Sequence, residues 1–182
     1  MNRIVVSDIF GRTHALEEIC SIFSGNTEIV DPYNGKFMEF QDECEAYSYF
    51  MNNVGLDKYC DVLLDKIFRT PHTVQLLGFS VGASVIWQLS ENVSPSKVLG
   101  AVCFYGSQIR KLANINPGFQ IKIVLPAKED TFSVADLARI LSQKKNIKIY
   151  ESDYLHGFMN KKSNNYNLSG YNQYLQWLQT CF

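Results

Sequence analysis

No apolar run in this chain approaches the roughly 18 residues that a membrane-spanning helix requires, so no membrane partner is expected. Charge of one sign is also missing. Seventeen Lys and Arg stand against 18 Asp and Glu, for a net charge of −1. A balance of that kind leaves no electrostatic footprint for nucleic acid or an anionic surface. Cysteine is sparse and unpatterned: Cys20, Cys44, Cys60, Cys103 and Cys181 are odd in number, widely spaced and never form C-x-x-C. Neither a disulfide framework nor a zinc site follows from that spacing, so no metal is expected. Cys20, Cys60 and Cys103 fall on apolar positions and read as core thiols. The N-terminal Ile4-Val5-Val6 run is too short for a signal-peptide core, and a reducing cytoplasm is the expected compartment. Histidine is scarcest of the chemical residues, with only His14, His72 and His156.

What is present is an alternation of short apolar strands and helical patterns. Strands are expected at 3–6, 27–30, 73–77, 100–104, 120–125 and 146–150. Leu16, Ile19, Cys20 and Phe23 recur at i, i+3, i+4, i+7. So do Val134, Leu137, Ala138 and Leu141, behind a Ser133/Asp136 capping pair. Leu56 to Ile67 and Tyr171 to Leu178 mark two more helices, and Val81 to Leu89 another. Strands apolar without alternation are buried on both faces, which means a parallel sheet covered by helices. A length of 182 residues fits one domain, 1–182, of three α/β layers.

Ligands of such sheets bind beyond the carboxyl ends of the strands, and that rule selects the residues to weigh. After the third strand comes Gly78-Phe79-Ser80-Val81-Gly82, opening a helix of small apolar residues. This is the context of a nucleophile elbow, in which a strained strand-to-helix turn exposes the serine Oγ. A serine nucleophile needs a base, and the base needs an orienting carboxylate. His72 lies at the amino end of its strand and His14 before a helix, which leaves His156 after the last strand. Asp130 lies in the loop after the fifth strand, giving the order Ser80, Asp130, His156. Glu129 and Asp153 compete for the acid role. Asp153 sits only three residues before His156 and reads as a solvated turn carboxylate.

Six motifs in order give a resemblance to the dienelactone hydrolase family of α/β-hydrolases. Asp8-Ile9-Phe10-Gly11 resembles the family's E-I-F-G, and Asp31-Pro32-Tyr33 its P-D-L-Y turn. The Ser80 elbow, Cys103-Phe104-Tyr105-Gly106, Glu129-Asp130-Thr131-Phe132 and His156-Gly157-Phe158 are similar to its elbow, next strand, acid loop and histidine loop. The resemblance implies a minimal α/β-hydrolase fold with a mostly parallel six-stranded sheet, helices on both faces and no cap domain, since 107–119 is short. It aligns Asp130 as the acid and places the oxyanion hole at the backbone N–H groups of Ile9 and Val81. Asp8, at the family's glutamate, is expected either to contact the Ser80 hydroxyl or to cap its own loop. Phe10, Tyr33, Tyr105, Phe132 and Phe158 suggest an apolar substrate pocket.

The chain also departs from the family. Its nucleophile is serine where the founding enzymes have cysteine, and Ala127 replaces an acid-loop glycine. The arginine expected after the histidine, which would hold a substrate carboxylate, is absent around Met159-Asn160-Lys161. The implied activity is therefore a cofactor-free hydrolase of small carboxylic esters or thioesters rather than of a dienelactone. The other reading is a non-catalytic scaffold for ligand or partner binding.

Overall fold

The computed structural model describes residues 2–182. Six strands form one wholly parallel sheet: β1 (Asn2–Val6), β2 (Asn26–Val30), β3 (Val74–Phe79), β4 (Val98–Phe104), β5 (Gln120–Leu125) and β6 (Ile147–Glu151). Their spatial order is β2-β1-β3-β4-β5-β6. Parallel pairing puts all carboxyl ends on one edge, where Val6 is level with Gly78, Phe79 with Phe104 and Leu125 with Glu151. Strand ends shift by one or two residues from the sequence reading, β4 beginning at Val98 rather than Gly100.

Alternate strand residues feed two cores. On one face Ile4, Val6, Leu76, Cys103, Ile121 and Ile123 pack under α3 (Gly55–Arg69), α4 (Val81–Leu89) and α5 (Val134–Leu141). On the other, Val5, Leu77, Phe79, Val102, Phe104 and Val124 pack under α1 (His14–Ser21) and α6 (Leu168–Cys181). No cap domain is inserted after β4, where a short 3₁₀ turn (Ser107–Leu112) stands. Among the described residues no helix is long and apolar enough to cross a membrane. Cys103 is buried and burial pushes the Cys20 and Cys60 thiols up to about 12 and about 11, which keeps all three unreactive.

One helix escaped the periodicity reading. Helix α2 (Glu43–Asn53) buries only Ala46 and Phe50 and leaves Tyr47, Tyr49 and Met51 exposed. Its legible signal is the start, Asp42-x-x-Glu45. The Asp42 side chain accepts from Glu45 N at 2.8 Å, and the Glu45 carboxylate accepts from Gln41 N at 2.7 Å. This is a variant of the reciprocal N-terminal cap. The helix carries Glu43 to the site described next.

Candidate active site

Sequence shape at the β3–α4 junction decides where Ser80 stands. Its backbone takes φ 51°, ψ −112°, a left-handed conformation that costs a non-glycine residue on the order of 1–3 kcal/mol. Ser80 N–H donates to Phe104 O at 3.0 Å, which ties the turn to β4. The flanking glycines are forced by contact. A Cβ on Gly82 would lie 2.4 Å from both Val6 O and Ser7 O, and one on Gly78 would lie 2.8 Å from Ala83 N. Helix α4 therefore crosses the ends of β1 and β3 with no room for a side chain. Gly82→Ala is expected to lower unfolding free energy by about 3 kcal/mol, the upper range for overpacking, measurable by urea denaturation, because the colliding atoms are backbone.

Two other loops meet the elbow. Ala127 N–H donates to Tyr154 O at 2.8 Å and Ser152 N–H to Leu125 O at 3.0 Å, so the segments following β5 and β6 are laced together. Ser80 Oγ lies 3.0 Å from His156 Nε2, and His156 Nδ1 lies 2.7 Å from Glu129 Oε1. The His156 ring packs against Tyr105, with 4.9 Å between ring centroids. The carboxylate on the histidine is thus Glu129, not Asp130. Asp130 turns outward, with 89% of its side chain exposed, and pairs with Lys128 at 3.1 Å. In this loop Glu129 faces inward, with 14% of its side chain exposed, while its neighbour faces solvent. His14 is an exposed residue at the start of α1 that bonds Glu17, and His72 precedes β3 at the far edge of the sheet.

Both residues whose backbone groups are expected to form an oxyanion hole lie near Ser80. Val81 is the first residue of α4, whose leading N–H groups have no intrahelical acceptor. Ile9 lies in the turn after β1 and lines the same small cavity as Ser80 and His156. Its peptide is held from behind, because the Tyr33 hydroxyl donates to Ile9 O at 2.7 Å. Asp31 in turn accepts from Tyr33 N and Gly35 N, both at 2.8 Å, and shapes that turn.

The aromatic substrate pocket read from the sequence does not assemble. Phe158 is fully buried in the sheet core, Tyr33 packs with Phe40, and Phe132 lies under the Arg110 guanidinium at 4.9 Å. Only Phe10 and Tyr105 line the Ser80 cavity, and both are buried residues. Aromatic type alone could not separate packing from lining. Glu43, Asn160 and Ser163 line the cavity as well, and sequence reasoning did not select Glu43 or Ser163.

The pattern of the dienelactone hydrolase family matches residues 4–182. The chain belongs to that family. It is similar to the Bacillus subtilis (strain 168) protein YczH, itself uncharacterized, at 34% identity over 127 residues. That match takes in 68% of this chain and 61% of YczH, so the chain spans less than two thirds of that relative's length. Among solved structures it resembles a Klebsiella pneumoniae protein assigned as a dienelactone hydrolase, with a TM-score of 0.75 at 16% identity over 98% of this chain and 85% of that one. A dienelactone hydrolase-like promiscuous phosphotriesterase from metagenomic libraries gives 0.65 at 14% identity, covering 99% and 84%. A lipase-esterase related protein from Clostridium acetobutylicum gives 0.65 at 9%, covering 100% and 94%. At these identities the structural likeness speaks for the fold, and the family is one of hydrolases.

Where this family member lacks an arginine, Asn160 does something else. Its Nδ2 donates to Asp8 Oδ2 at 2.5 Å, while Asp8 Oδ1 accepts from Phe10 N at 2.9 Å. Asp8 therefore caps its own loop and ties it to the histidine loop, and Ser80 Oγ bonds His156 instead. Burial pushes the Asp8 carboxyl up to about 6, against the opposing pull of those two hydrogen bonds and of His156. An unfolded aspartate titrates near 3.9, so the folded state holds the proton more tightly. The sign follows: this contribution is full below about pH 4 and is lost as pH rises through about 6, amounting to on the order of 3 kcal/mol. Urea denaturation of wild type and Asp8→Asn should show their stability difference moving against wild type by about that much between pH 4 and pH 8. A difference independent of pH would remove Asp8 as the titrating group.

Proposed function

We propose that this protein is a serine hydrolase of small carboxylic esters or thioesters, acting through Ser80, His156 and Glu129. The observation that carries the reading is the unbroken hydrogen-bonded series from Ser80 Oγ through His156 to Glu129, mounted on a strained elbow. His156 Nε2 takes the hydroxyl proton as Ser80 Oγ attacks the acyl carbonyl. Glu129 keeps the proton of the imidazole on Nδ1, which leaves Nε2 free to accept, and it stabilises the imidazolium that forms. The carbonyl oxygen becomes an oxyanion between the N–H groups of Ile9 and Val81. Two such fixed donors are worth on the order of 3 kcal/mol each at the transition state. The tetrahedral intermediate collapses, His156 returns its proton to the departing alcohol or thiol, and water repeats the sequence on the acyl-enzyme. No step calls for a cofactor, and the expected partner is the small-molecule substrate alone. Asp8 and Glu43 line the cavity without a lysine or arginine among its walls, which favours substrates with no carboxylate beside the scissile bond.

The direct test is covalent. A fluorophosphonate probe should label the native protein once, at the peptide carrying Ser80, and should not label Ser80→Ala. A folded protein that stays unlabelled at Ser80 would mean the non-catalytic scaffold instead.

A further inference from the structure

The cavity over Ser80 is a small, open depression of about 30 Å³. A second, larger space begins one residue away. It is a groove of about 260 Å³ between α2, α3, α4 and the 3₁₀ turn, walled by Phe50, Met51, Leu56, Val81 and Leu112. Val81, the residue that follows Ser80 in the chain, lines the groove. Its N–H is the expected oxyanion donor.

We infer that this groove receives the acyl chain of the substrate, and that the preferred acyl group is an apolar one of medium length, about six to eight carbons. The inference rests on the hydrolase reading above. The side of Ser80 on which the groove lies decides between acyl and leaving group. The leaving group must take its proton from His156, so it lies toward the loops after β5 and β6. None of the residues lining the groove comes from those loops; all come from α2, α3, α4 and the 3₁₀ turn. The acyl chain, on the other side of the carbonyl carbon, points the opposite way. With no cap domain inserted after β4, the leaving group departs into solvent and needs no pocket of its own. Helix α2 supplies the outer wall, which explains why a helix burying so little still presents Tyr47 and Met51 on a side turned to the groove. Lys111 and Asp57 are the charged residues of its lining.

The test is a series of p-nitrophenyl esters with acetyl, butanoyl, hexanoyl and octanoyl groups, set against acetate esters of lengthening alcohols. Hydrolysis is followed alongside fluorophosphonate labelling of Ser80. We expect kcat/KM to rise at least about tenfold from acetyl to octanoyl, since each buried methylene adds to transition-state binding, and to stay nearly flat along the alcohol series. Met51→Trp and Leu56→Trp should each lower the octanoyl-to-acetyl ratio about tenfold, whereas Ile140→Trp, on the exposed side of α5, should keep it. Two separate groove variants guard against one of them folding poorly. Labelled Ser80 with a flat acyl series, or a preference that follows the alcohol, overturns the groove assignment while leaving the hydrolase intact. Unlabelled Ser80 with no ester cleaved sinks the hydrolase reading and this one with it.

Discussion

Ser80→Ala is expected to lower turnover of a short-chain p-nitrophenyl ester at least a thousandfold while the protein stays folded. The nucleophile and its base act as a unit, so losing one leaves only what the oxyanion donors and binding can do. The stability side of the prediction comes from what the hydroxyl touches. Ser80 Oγ makes one side-chain hydrogen bond, to a partly exposed histidine, and no backbone contact depends on it. Such a bond contributes about 1 kcal/mol net, and the positive φ at this position strains alanine as it strains serine. Thermal denaturation should therefore move by no more than about 2–4 °C. Full activity in the folded alanine variant would place the chemistry elsewhere in the molecule.

Glu129→Gln should cut turnover by about 10³–10⁴, and Asp130→Asn should change it by less than about twofold. At 2.7 Å from His156 Nδ1, Glu129 has one role that glutamine cannot keep. The carboxylate accepts the Nδ1 proton, whereas an amide nitrogen there donates and drives the ring into the tautomer protonated at Nε2. That ring cannot take a proton from Ser80, and an imidazolium beside a neutral amide loses its counter-charge; the comparable change in a serine–histidine–aspartate enzyme costs about 10⁴. Asp130 pairs with Lys128 in solvent, and exposed pairs of this kind contribute between zero and about 1 kcal/mol. The two variants, read side by side in one ester assay, separate the neighbouring carboxylates cleanly. Reversed effects would mean that the loop takes another conformation during turnover.

The choice between those two acids shows how far residues alone can carry the argument. Strand alternation, parallel pairing and the elbow were legible because they rest on local rules: continuous apolar runs, and a serine between glycines where a strand becomes a helix. Gly78 and Gly82 confirm the local rule through contacts, since β1 and α4 leave no space for a Cβ. His156 was legible by elimination, because parallel topology admits chemistry only at one edge of the sheet. Glu129 and Asp130 are adjacent and chemically alike, so no local rule separates them. Only the folded loop separates them, where Glu129 reaches His156 Nδ1, 27 residues away along the chain, and Asp130 pairs with Lys128.

The same distinction holds for Asp8, Tyr33 and Phe158. Asp8 was open between contacting Ser80 and capping its loop, and Asn160, 152 residues away, takes one of its oxygens while Phe10 N–H takes the other. Tyr33 and Phe158 read as pocket aromatics; one instead braces the Ile9 peptide and the other fills the core. Helix α2 has too weak an apolar stripe to announce itself, yet it brings Glu43 to the cavity and walls the groove. Sequence by itself determined the sheet, the elbow and the candidate nucleophile and base, because backbone sterics and burial act over a few residues. Tertiary packing alone decided which carboxylate faces the histidine and where a substrate has room, because side-chain direction depends on neighbours far away along the chain.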